Sequence, residues 1–247
     1  MQLQPPSPPS TRPPDVAAAL RAAAERLGHR PAVSVLLPSG RQEQSVASLA
    51  QWAAKGAHLL ELDLLLEPGD RLHLDAPPSW PAVTVALAAW WSGVAITLDG
   101  DAEIAVVQAG RDAPPDAEVF RLGDGVDGAP DGDTGQEAWV RAVQAFPDQP
   151  PMPRAAGEAV GLIADGGTWT QTQLLEAATD GNVGAAVGPD GDTAAGPVGI
   201  EASVDARLDR PTLADLALRP LLTGRPTVVV RGVGRDAAVG DRVAVWR

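Results

Sequence analysis

The stretch "APPSWPAVTVALAAWWSGVAITLDG", residues 76–100, is the most hydrophobic run in the chain, and its punctuation limits what it can become. Pro77 and Pro78 break any preceding element, Ser79 is placed to cap a helix, Pro81 suits the first helical turn, and Gly93 ends the helix after Trp91. "VAIT" is then short and β-branched, which favours a strand. A helix carried uninterrupted from Ala82 to Leu98 would fall short of the roughly 20 residues a bilayer needs. The run therefore reads as a helix and a strand of a protein core, not a membrane span. With a strand expected just before it at Arg71–Asp75, it makes a strand–helix–strand unit, and burial on both faces explains elements that are apolar throughout.

The same period and punctuation organise the rest of the chain. Residues 1–14, "MQLQPPSPPSTRPP", read as a disordered Pro-rich tail; they lack the basic start and apolar core of a secretory signal, which points to a cytoplasmic protein. Asp15 can cap a helix with Val16, Leu20, Ala23, Ala24 and Leu27 on one face, stopped by Gly28. A strand at 32–37 and the turn "PSG" follow, and Ser45 opens a second amphipathic helix. Further strands are expected at Ile104–Gln108 and Glu118–Leu122, and a helix from Gln136 to Ala145. "PDQPPMPR", residues 147–154, reads as a linker between a first lobe at 15–146 and a second at 155–247. The second lobe offers a strand "AVGLIA", the turn "DGG", a helix with a Thr170–Gln173 capping box, a Gly- and Asp-rich loop from Asn182 to Pro197, a strand "VGIEAS", a helix from Pro211 to Leu222, and strands in "TVVV" and "RVAVW". This alternation predicts an α/β fold: two sequential lobes of mainly parallel sheet flanked by helices.

Charge and residue usage then exclude several functions. A formal net charge of −13 disfavours nucleic acid, whose phosphates need clustered Lys and Arg, and anionic membrane surfaces for the same reason. Without cysteine there is no disulfide, Cys-ligated zinc or thiol nucleophile, and His29, His58 and His73 are too scattered for a His-rich metal site.

The order of segments resembles the N-terminal part of the acyl-adenylate-forming (AMP-binding, acyl-CoA synthetase-like) superfamily. The pieces that carry the resemblance are "DVAAALRAAAERLGHRPAVSVLL", "SVASLAQWAAKGAHLL", "EPGDRLHLDAPPSW" and "AVTVALAAWWSGVAITL", with "LRPLLTGRPTVVVRG" further on. The resemblance implies a short, degenerate, actinobacterial-type relative, built like a truncated N-terminal domain of such an enzyme. It also implies where chemistry should sit. The family's phosphate loop, a Thr/Ser/Gly-rich turn ending in Pro-Lys-Gly, belongs between "AVGLIA" and the helix near Thr170, but only "DGGTW" stands there. Such a loop holds phosphates with several backbone N–H groups and a cation, whereas this one offers two glycines, no lysine, and an Asp that repels ATP. The family's two tyrosine motifs cannot occur in a chain without tyrosine, and the one lysine, Lys55, lies in a first-lobe helix instead of at the adenylation position.

The resemblance thus implies a non-catalytic relative with a cleft between lobes, binding an acyl group, a nucleotide or a protein partner. The expected lining is Asp165, Gly166, Gly167 and Thr168 at the degenerate phosphate loop, with Pro78 and Trp80 facing them. No catalytic residue and no metal ligand is assigned; ATP, AMP and Mg are not supported by the motifs, so no cofactor is expected. The alternatives are a subunit that completes an adenylating site with a partner chain, and an unrelated enzyme using strand-end carboxylates and His73, which shares a strand face with Arg71 and Asp75.

Other motif matches are weak. Gly123, Gly125 and Gly128 fit a dinucleotide fingerprint but run into an acidic loop where a helix is required. Gly232, Gly234 and Ala237 leave no room for a βαβ unit before the sequence ends. "DGDTAAGPVGIE", from Asp190 to Glu201, lacks the central glycine of a calcium loop. The seven Trp residues read as the aromatic bulk of the core.

Overall fold

The computed structural model describes residues 12–100, 102–125, 127–132, 134–180, 197–241 and 245–246. In chain order the elements are α1 (Val16–Leu27), β1 (Pro31–Leu37), β2 (Gly40–Ser45), α2 (Val46–His58), β3 (Arg71–Asp75), α3 (Trp80–Ser92), β4 (Ala95–Thr97), β5 (Ile104–Gln108), β6 (Glu118–Leu122) and α4 (Trp139–Ala142). They continue with β7 (Val160–Ala164), β8 (Gly167–Thr170), α5 (Gln171–Asp180), β9 (Val198–Ala202), α6 (Arg210–Ala217), α7 (Arg219–Thr223), β10 (Thr227–Arg231) and β11 (Val245–Trp246). Most of the Asn182–Pro197 loop, the calcium-like segment before Pro197 and residues 1–11 of the tail lie outside the described residues.

The strands form two sheets, ordered β11-β9-β10-β1-β2 and β6-β5-β3-β4-β7-β8. All pairs are parallel except β1 with β2 and β7 with β8, so each sheet is a parallel array closed at one edge by an antiparallel hairpin strand. The α/β class with mainly parallel sheets flanked by helices is what the sequence predicts. The boundary at 147–154 is corrected. β7 and β8 lie beyond it yet extend the sheet of β3 to β6, and the other sheet takes β1 and β2 from the start of the chain and β9 to β11 from its end. The physical reason is that β1 and β4 each expose an unpaired parallel edge that later strands β10 and β7 complete.

The hydrophobic run lies at the centre of this arrangement. Ser79 accepts a hydrogen bond from the Ala82 N–H, Pro81 stands in the first turn, and Gly93 closes α3 in the left-handed conformation at φ 78. Every residue from Trp80 to Ser92 is buried, because α3 touches helices α1, α2 and α6 as well as β1 of one sheet and β4 of the other. A helix enclosed on all sides needs no polar face. No helix among the described residues is long and apolar enough to cross a membrane.

Two small features set the helix positions. At Gly56, a Cβ would lie 2.7 Å from the Ala88 Cβ, so glycine permits the close approach of α2 to α3. Gln171, fully buried at the start of α5, accepts from the Val16 N–H at 3.0 Å and donates to the Trp90 carbonyl at 2.7 Å. One side chain thereby caps the first turn of α1 and holds the last turn of α3. The Trp90 indole donates to the Gly161 carbonyl at 2.7 Å, tying α3 to β7.

Candidate functional site

The turn where the resemblance places a degenerate phosphate loop is a tight hairpin. Asp165 and Gly166 are the two central residues of the turn joining β7 to β8, with Ala164 paired to Gly167, and both have positive φ, 51 and 70. A two-residue turn of the primed type demands this backbone, and Asp-Gly is among the pairs that supply it. Gly167 and Thr168 are therefore residues of β8 and not members of a loop. The Asp165 N–H donates to Asp99 Oδ2 at 2.8 Å, and Trp169 folds back over Gly167 beneath the Arg210 guanidinium, 5.0 Å from the ring centre. The capping box is formed: the Gln173 N–H reaches Thr170 Oγ1 at 3.2 Å and the Thr170 N–H reaches Gln173 Oε1 at 2.9 Å.

Pro78 and Trp80 lie at the carboxyl end of β3, on the same sheet edge as the hairpin but with β4 between. Both are buried. The Trp80 ring packs 5.5 Å from Trp52 and sits so close to Gly128 that a Cβ there would fall 2.8 Å from it. No hydrogen bond, ion pair or ring contact among the described residues joins Pro78 or Trp80 to residues 165–168. The three glycines of the first dinucleotide match form a turn folded on itself, through Gly123 N–H to Gly128 O, Gly128 N–H to Gly125 O and Gly125 N–H to Ala129 O.

His73 and Asp75 do share a face of β3, but Asp75 is committed elsewhere. Arg111 Nη1 donates to Asp75 Oδ1 at 2.5 Å and Arg207 Nη2 stands 3.1 Å from Oδ2. Arg111 also donates to the carbonyls of Asp205 and Ala206, and the Leu208 N–H to the Ala76 carbonyl at 2.9 Å. The segment after β9 is thus strapped across the carboxyl end of β3. Burial pushes the His73 imidazole below its ordinary pKa; Asp75 opposes this and the Arg207 charge adds to it. His73 Nδ1 is buried with no hydrogen-bond partner. No cluster of three or more His, Asp or Glu side chains among the described residues is placed to hold a metal ion.

The other sheet carries an open cleft at its carboxyl edge, of about 400 Å³. Leu37 ends β1 and Pro38 and Ser39 follow it, Val204 follows β9, Arg231 ends β10, and Asp124, Gly125 and Asp131 come across from the loop after β6. Carboxyl ends of neighbouring parallel strands are where open α/β sheets take ligands. Gln42 of β2 fixes the incoming loop by donating to the carbonyls of Asp124 and Gly125 at 3.0 and 2.9 Å. Arg231 is buried and pairs through Nη2 with Asp124 Oδ1, which also receives Gln108 Nε2 at 3.3 Å. None of the six lining residues expected from the sequence borders this cleft. Sequence reasoning passed over Arg231 because its partner lies 107 residues away.

Two mainly parallel sheets pack on one central helix, and the comparisons show where this fold recurs. No protein-family model matches the chain. A TIGR03089 family protein of Mycobacterium tuberculosis (strain ATCC 25618 / H37Rv) is 39% identical over 80 residues, 32% of this chain and 33% of that protein. Among solved structures, an acyl-CoA synthetase of Brucella canis matches 96% of this chain and 48% of its own, with a TM-score of 0.67 at 18% identity. The long-chain-fatty-acid-CoA ligase FadD1 of Archaeoglobus fulgidus matches 97% of this chain and 51% of its own, at TM-score 0.69 and 14% identity. The anthranilate CoA ligase AuaEII, solved with anthranoyl-AMP, matches 96% and 50%, at TM-score 0.70 and 14% identity. The chain has the fold of these enzymes and spans about half their length.

Proposed function

We propose that this chain is a non-catalytic, cytoplasmic relative of the acyl-adenylate-forming enzymes, which keeps their scaffold and binds a small ligand in a cleft at a sheet edge. The observation that carries this reading is the two-residue turn at Asp165–Gly166. A phosphate cradle needs several converging N–H groups and a cation. Here the Asp165 N–H is spent on the Asp99 carboxylate, and the two acids together oppose a triphosphate. Lys55 does not compensate, because its Nζ is held by Asp148 and the Phe146 carbonyl, each at 2.7 Å.

ATP–pyrophosphate exchange with a panel of carboxylic acids tests the reading. The isolated protein is expected to give no exchange, and neither ATP nor AMP should raise its melting temperature. Exchange by the isolated chain would overturn the proposal, and exchange only with a co-purified partner would replace it with a subunit that completes a shared site.

A further inference from the structure

The turn that follows α2 carries apolar surface that the fold leaves uncovered. Three of the five large hydrophobic side chains exposed among the described residues belong to it or to the segment beside it: Leu62 at 63%, Leu65 at 72% and Met152 at 83%. Lys55, His58 and Leu62, three and four residues apart, form one stripe along α2 and the π-helical turn Leu59–Asp63 that continues it. The segment leading to β7 lies along that stripe. Lys55 Nζ reaches the Phe146 carbonyl and Asp148, each at 2.7 Å, and His58 Nε2 is 2.9 Å from the Gln149 carbonyl. Beyond Leu65, Arg154 Nη1 donates to the Leu66 carbonyl at 3.0 Å. Met152 therefore stands between the same two ties as Leu62 and Leu65, and the three side chains make one exposed patch.

The backbone at Leu65 points the same way. Its φ of 54 lies in the left-handed region, at the position after a helix where glycine is usual. A leucine there bears strain and, being exposed, recovers no burial, so it serves stability on neither count; such outliers gather at functional positions, as π-helical turns do. Charge selects what covers the patch. Asp63 and Glu67 flank the leucines, are exposed and enter no ion pair among the described residues, and Glu61 accepts only the Ser92 hydroxyl; against these acids stands Arg154. A second copy would bring the same acids against these, and an anionic membrane is repelled likewise. A partner with lysine or arginine beside its apolar side chains meets both demands.

We propose that Leu62, Leu65 and Met152 form a docking surface for another protein, which lays an amphipathic helix here with leucine-type side chains on the patch and Lys or Arg against Asp63 and Glu67. None of these residues lines the cleft of the reading above, and the docking does not depend on whether adenylates are formed.

The probes are two synthetic amphipathic helical peptides with the same leucine stripe, one carrying lysine and the other glutamate on the polar face. They are titrated against the full chain by fluorescence anisotropy at physiological ionic strength, which screens long-range attraction to an acidic protein. The Leu/Lys peptide is expected to saturate and the Leu/Glu peptide to bind at least about tenfold more weakly. The variant Leu62→Glu/Leu65→Glu, changed only at exposed positions, should lower the affinity for the Leu/Lys peptide at least about tenfold although it adds two negative charges. Unspecific attraction to a chain of net charge −13 would be left unchanged or strengthened by those charges. Leu65→Gly suits the left-handed backbone, so it should raise the melting temperature while weakening the peptide. The proposal is overturned if the Leu/Lys peptide does not saturate, if the Leu/Glu peptide binds as well, or if either variant binds as tightly as the parent. It is also overturned if sedimentation shows a dimer that the double variant dissolves, which would assign the patch to a second copy.

Discussion

Replacing Gln171 by methionine should be among the more costly conservative changes in this molecule. The side chain is fully buried, so its two hydrogen bonds have no water to fall back on. Methionine is close in volume, which keeps the packing term small. Losing the acceptor strands the Val16 N–H at the first position of α1, where Val16 is 1% exposed; an unsatisfied buried donor costs about 1–3 kcal/mol. The Trp90 carbonyl is better protected, because the Gly93 N–H also reaches it at 3.3 Å, so its share is about 0.5–1.5 kcal/mol. Together the change should remove about 2–4 kcal/mol, or roughly 5–15 °C of melting temperature for a chain of this size. Urea unfolding followed by tryptophan fluorescence measures this, with an unchanged slope confirming that stability alone has moved. Gln171→Glu provides the cross-check. Its carboxylate can accept from Val16 but must be protonated to donate to Trp90, so its deficit against the parent should narrow as pH falls. A methionine variant within about 0.5 kcal/mol of the parent would refute the reasoning, as would a glutamate variant whose deficit ignores pH.

Two further outcomes follow from the geometry. Burial lowers the pKa of His73, so the unfolded chain binds its proton more readily; the stability this residue contributes is complete above the unfolded value of about 6.5 and is lost as pH falls below it. His73→Asn should flatten the decline of the urea midpoint on the acid side, and parallel pH profiles for the two proteins would contradict this. Gly56→Ala gains about 1 kcal/mol of helix propensity but drives a Cβ to 2.7 Å from that of Ala88, and overpacking of about 1–3 kcal/mol should outweigh the gain; adding Ala88→Gly should recover the packing loss in a double-mutant cycle.

Sequence reasoning located the elements that carry their own pattern. The strands Arg71–Asp75, Ile104–Gln108 and Glu118–Leu122 and the caps at Asp15, Ser45 and Ser79 stand where periodicity and punctuation put them. It missed β2 and β8 for one physical reason. "GRQEQS" has no apolar residue and "GTWT" has one, so neither shows an alternating hydrophobic face; each is a strand because a tight turn delivers it to an open edge of β1 or β7. The expected helix from Pro211 to Leu222 is divided into α6 and α7 near Pro220, whose ring removes a backbone donor from the ladder. The helix from Gln136 shortens to α4 and a tight turn at Val143–Ala145. Site partners were the least legible. Asp75 meets Arg111 and Arg207, and Arg231 meets Asp124, through long-range topology that no local spacing encodes.

That topology also bears on which edge can serve a ligand. At the carboxyl end of the sheet built around β3, the carboxylates are engaged by the protein itself: Asp75 holds two arginines, and Asp99 accepts the Asp165 N–H. His73 remains unpartnered at Nδ1, but its burial favours the neutral ring, and Asp75 is occupied in ion pairs that would have to break before the two could work as an acid and base. Arg231 at the end of β10 and Gln108 at the end of β5, in the other sheet, share a single oxygen of Asp124, and each keeps one buried atom without a partner. A site already satisfied by its own protein gains little from a ligand, since every contact made must replace one lost. The tight Asp165–Gly166 turn, whose Asp165 N–H is already taken by Asp99, therefore offers a phosphate little, in keeping with the proposed absence of adenylate chemistry.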